Sequence, residues 1–86
     1  MFIVTKINVD INTVDIIHVE TDTDDGAYLR SLNNLMDDID HIKENKDIER
    51  QVEIIDSSRI IVYERGYITG KSLKFVYEVI KYDNNE

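Results

Sequence analysis

Polar and apolar residues alternate at the start of the chain, switch to a helical period in the middle, and alternate again to the end. In residues 2–9, Ile3, Thr5, Ile7 and Val9 share one side of an extended strand and Phe2 and Val4 the other, and most of these side chains are β-branched or aromatic. Asp10 to Thr13 is a polar break with turn-forming Asp and Asn. Val14 to Thr21 is a second strand pattern, so residues 2–21 read as a β-hairpin.

Over residues 24–44 the period changes. Tyr28, Leu29, Leu32, Leu35, Met36, Ile39 and Ile42 recur every three or four residues and form one stripe, opposite Arg30, Asn33, Asn34, Asp37, His41 and Glu44. Asp22, Asp24 and Asp25 precede this helix, where carboxylates cap free N–H groups and suit the dipole; Lys43 and Lys46 suit its far end. Gly26 weakens the first turn by roughly 1 kcal/mol relative to alanine, which favours a start just after it.

Strand patterns then resume. Gln51 to Asp56 is one, Ser57-Ser58 a turn, Arg59 to Glu64 another, Gly66 to Gly70 a loop and Leu73 to Tyr82 the last. That final run also fits a helix capped by Ser72, with Leu73, Val76, Tyr77 and Ile80 as its stripe. Its density of β-branched and aromatic residues favours a strand. Residues 83–86 read as a frayed tail. The expected fold is a single α+β domain in the order ββ-α-βββ, a small antiparallel-rich sheet of about five strands with one amphipathic helix on one face.

One helix shields one face of a sheet, yet the strands are apolar on both. Phe2 and Val4 oppose Ile3, Ile7 and Val9; Ile61 and Tyr63 oppose Ile60 and Val62; Val76, Ile80 and Tyr82 oppose Leu73, Phe75, Tyr77 and Val79. A sheet this short needs strong curvature to close into a barrel. The favoured expectation is therefore that the second face meets another chain, in a homodimer.

Composition narrows the classes. The chain has 86 residues, 42% of them apolar and 33% charged, which suits one modest core. There is no cysteine, so disulfides, thiolate metal sites and cysteine nucleophiles are excluded. Met1-Phe2-Ile3-Val4 is too short an apolar run for a signal segment or a membrane span. A soluble, cytoplasmic protein is expected, in the host cell if the chain is viral. Fourteen isoleucines, seven asparagines, one alanine and no proline resemble the product of an AT-rich coding sequence, as in many phage, viral and low-GC bacterial proteins.

Charge is lopsided. Residues 1–56 hold fourteen acids and five bases, a net of −9; residues 57–86 hold four acids and five bases, a net of +1; together they give the −8 of the chain. Such a field repels nucleic acid and anionic lipid and attracts basic proteins. No direct nucleic-acid or membrane partner is expected, and a basic protein partner is.

Chemical motifs are incomplete. Asp22-Thr23-Asp24-Asp25-Gly26 fails the calcium-loop spacing in either frame, with Leu32 or Ser31 where a glutamate is needed. Asp37 and His41 stand one helical turn apart, but two ligands do not make a metal site. Gly70-Lys71-Ser72 ends like a phosphate loop, but Arg65 stands where that motif has its first glycine. Ser57, Ser58 and Thr69 lack a base in suggestive context. The reading is of no cofactor, no metal and no catalysis.

Two clusters remain as candidate partner-binding residues. Tyr63, Arg65, Tyr67 and Lys71, near Arg59 and Lys74, concentrate the Arg and Tyr types that anchor interfaces. Asp37 and Asp38, with Asp40 and Glu44, space carboxylates along the helix. The expected function is a small acidic interaction or assembly module that self-associates. The alternatives are a nucleic-acid mimic that blocks a basic groove, and a ligand binder or enzyme with its site between subunits.

Overall fold

The computed structural model describes residues 1–42, 48–66 and 70–82. The expected order is present: β1 (Phe2–Asn8), β2 (Thr13–Glu20), α1 (Ala27–Asp40), β3 (Ile48–Ile54), β4 (Arg59–Gly66) and β5 (Gly70–Lys81). The five strands form one antiparallel sheet in the order β2-β1-β5-β4-β3. The longest strand, β5, is central. It pairs with β1 along Phe75–Lys81 and with β4 along Gly70–Glu78, so the two hairpins are staggered along it. That stagger draws the molecule out to 52 × 22 × 20 Å.

The run after Ser72 is a strand, as its β-branched and aromatic content favours. It begins at Gly70, earlier than expected, because Gly70 takes a φ of +73° that returns the chain from β4. The strand expected at Gln51 to Asp56 lies earlier, at Ile48–Ile54, because the chain reverses at once through Asp56, whose carboxylate accepts both the Ser58 N–H and its hydroxyl. The expected loop at 66–70 and tail at 83–86 fall largely outside the described residues.

The helix starts after Gly26 and ends at Asp40, with His41 closing it by donating its N–H to the Asp37 and Asp38 carbonyls. The capping role expected of the preceding acids is different in the fold. No side chain caps the helix; Gly26 is the cap residue. Asp24 instead accepts the Gly26 N–H and binds the Arg30 guanidinium at 2.9 Å. The residues expected at the far end, Lys43, Glu44 and Lys46, lie outside the described residues.

Two bulges set which side chains face the helix. Opposite Val4 and Thr5 of β1, β2 carries one extra residue, Ile17, and opposite Val62 and Tyr63 of β4, β5 carries one extra, Lys74. Ile17 packs against the core. The second bulge overturns the expected pairing of Leu73 with Phe75 on one face: register places Phe75 beside Val62 but Leu73 beside Tyr63 on the other side.

The core lies between helix and sheet, built from Leu35 and Ile39 of α1 against Val4, Ile60, Val62, Tyr77 and Val79. Phe2, Ile17, Tyr28, Leu32 and Phe75 pack around it. Ala27 and Ser31 are buried on the same helical stripe, and the Ser31 hydroxyl satisfies itself by donating to the Ala27 carbonyl. The helix packs on β1, β2 and β5. Arg50 of β3 joins its C-terminal end by donating to the Ile39 and Ile42 carbonyls at 2.8 and 3.2 Å.

Candidate interaction surface

Side chains at paired positions of neighbouring strands share a face, so the registers define what the helix leaves uncovered. On the outer face, β1 places Ile3, Thr5 and Ile7; β2 places Val14, Ile16 and Val19 beside them; β5 places Val76, Glu78 and Ile80 on the other flank. Farther along, β4 places Ile61, Tyr63 and Arg65 there, with Leu73 and Lys71 of β5 and Gln51 and Glu53 of β3. No element of the described protein packs against this side of the sheet.

Exposure is steepest at the β2 edge, where Val14 is 66% and Ile16 63% exposed. The inner rows of the same face, Ile3, Ile7, Ile61 and Val76, are half-buried by their neighbours alone. This is the two-sided apolarity that the sequence implies, in an open sheet.

Charge is distributed unevenly over the outer face. Glu49, Glu53 and Glu78 are matched by Arg59, Arg65 and Lys71, three against three, in a protein of net charge −8. All except Glu78 lie toward the β3-β4 side; the outer positions of β1 and β2 carry no charge.

The basic-aromatic residues singled out in the sequence fall partly on this face. Lys71 Nζ sits 4.1 Å from the centre of the Tyr63 ring, and Arg65 is exposed beside them. Tyr67 lies outside the described residues. Lys74 is diverted by the bulge and binds Asp10 at 2.9 Å.

The helix acids lie on the opposite side of the molecule, so the two clusters are not one patch. Asp37 is exposed. Asp38 turns inward, binding Lys6 Nζ at 2.9 Å and accepting the Tyr77 hydroxyl proton at 2.6 Å. Burial opposes ionisation of Asp38, but these two donors outweigh it and hold its carboxyl below the usual aspartate range. For Tyr77, burial and the Asp38 carboxylate both push the phenol well above its ordinary value. Lys6 also lies 4.6 Å from the centre of the Phe75 ring, so its stem packs while its charge is neutralised.

A second polar cluster closes the other end of the helix. Buried Glu20 accepts from Arg30 Nε at 3.3 Å and lies 3.4 Å from His18. The Arg30 bond, helped by His18, keeps the Glu20 carboxyl low despite its burial. Arg30 gathers Asp22 and Asp24 as well. The carboxylates of this end are therefore partly neutralised from within.

Sequence reasoning missed Val14, Ile16 and Val19 as a surface row, because Ile16-Ile17 breaks the alternation where the bulge falls. It also missed Lys6, although a lysine in the inward register after Phe2 and Val4 was the available signal.

Compared with protein-family models, with curated proteins and with solved structures, the chain matches none. Among the described residues no helix is long and apolar enough to cross a membrane.

Proposed function

We propose that this protein is a small acidic assembly module that self-associates and works through protein–protein contact. The observation that carries this reading is the uncovered apolar outer face of the sheet, with Val14 and Ile16 about two-thirds exposed at its edge.

The internal ion pairs weigh against a nucleic-acid mimic. Asp38, Glu20, Asp22 and Asp24 are engaged by Lys6 and Arg30 of the same chain, so the array of free carboxylates is smaller than the sequence suggests.

Salt separates the two mechanisms. Association through apolar surface persists or tightens as salt rises, because added ions screen the repulsion between two chains of charge −8. Sedimentation equilibrium of the purified chain from low to high ionic strength tests this. The expected result is a dimer stable or strengthened at high salt. A monomer at every ionic strength, at tens of micromolar, would refute the proposal.

A further inference from the structure

We infer that two copies of this chain pack sheet to sheet, through the outer face of β1, β2 and the adjoining half of β5, and not by pairing of edge strands. This rests on the self-association reading above and goes beyond it by assigning the surface and the mode.

Three observations carry it. The first is charge. Two chains of net charge −8 repel each other wherever their acids face. The region around Ile3, Ile7, Val14, Ile16, Val76 and Ile80 holds Glu78 as its single charged residue, and Glu78 is opposite Thr5 on one side and Arg59 on the other. A basic partner would be drawn to the helix side, where Asp37 and Asp40 are exposed, and would gain nothing at this face. A second copy brings the same apolar face with the same single charge, as a two-fold interface requires.

The second observation is that both free edges are guarded. Edge strand β2 is broken by the bulge at Ile17 and carries Asp15. Edge strand β3 carries Glu49, Arg50 and Glu53. Bulges and charges on edge strands oppose strand-to-strand addition.

The third is the competing apolar surface. Val52 and Ile54 of β3 share the helix side of the sheet, and Ile54 is 70% exposed. That side also carries the helix acids, so two copies meeting there would set like charges against each other. The assigned part of the outer face carries only Glu78, opposite Arg59, so the penalty there is small. Packing there forms a sandwich with sheets about 10 Å apart and buries the rows that the protomer leaves open.

The test compares two single substitutions at exposed positions, measured by light scattering across a dilution series. Ile16→Lys lies on the exposed edge row of the assigned face, midway along β2, and Ile54→Lys on the opposite side; circular dichroism reports that each variant is folded. The expected result is that Ile16→Lys raises the dimer dissociation constant roughly tenfold or more while Ile54→Lys leaves it within about twofold. A folded Ile16→Lys variant that dimerises like the unmodified chain overturns the face assignment, and so does a loss confined to Ile54→Lys. Either result leaves self-association itself standing. A monomeric unmodified chain removes both.

Discussion

Asp38 shows how one side chain can be both surface charge and structural pin. It is the helix acid that faces the sheet, and it holds Lys6 and the Tyr77 hydroxyl at once. Its carboxyl is held below the ordinary aspartate value of 3.8, so its ionised form stabilises the fold fully above that range. The contribution is lost as pH falls through the lower folded-state value. Chemical denaturation from pH 6 down to pH 2 should show Asp38→Asn less stable than the unmodified chain at the top of this range, with the difference narrowing toward the bottom. A constant difference would mean that the carboxylate charge is not what holds the pair. Tyr77→Phe removes only the hydroxyl and should cost about 1 kcal/mol. Leu35→Ala, at a fully buried position between helix and sheet, should cost about 3 kcal/mol by the cavity it leaves. Both are read from urea midpoints.

Turns and caps decide where the elements begin and stop. Gly70 has a φ of +73° and open space around its missing Cβ, so Gly70→Ala should lose about 1 kcal/mol through backbone strain alone. Gly70→Asn should lose less, since asparagine tolerates this region; equal losses would point to some other cause. Arg50→Ala removes a charged donor from the Ile39 and Ile42 carbonyls at the helix end and should lower stability by about 1 kcal/mol, seen as a drop in Tm of roughly 4–8 °C. The elements themselves were legible in the chain because periodicity is local: a helical stripe from Tyr28 to Ile42 and β-branched alternation elsewhere. The bulges were not, because Ile17 and Lys74 are extra residues only with respect to a neighbouring strand. That is why Leu73 changed sides, and why Val14, Ile16 and Val19 were not recognised as one row. The Arg65, Lys71 and Tyr63 grouping was legible from sequence proximity across a hairpin. The separation of that group from Asp37 and Asp38 by the thickness of the sheet was not, since it depends on which face the helix covers.

At the scale of the whole molecule, one helix of fourteen residues lies over a five-stranded sheet and covers only one of its faces. Over β1, β2 and β5 the helix side is closed by a small core and two ion-pair clusters, while Val52 and Ile54 of β3 stay exposed beyond the helix. The open side combines apolar rows with balanced charge in an otherwise acidic protein. These features follow from one topology: among the described residues the helix, in the connection from edge strand β2 to edge strand β3, has no counterpart on the outer face. If a second copy covers that face, the mass of the purified chain by light scattering at tens of micromolar and physiological salt reports it directly. The expected mass is twice the 10.1 kDa of the single chain, falling toward the single-chain value on dilution. A constant mass of one chain across that range would contradict it.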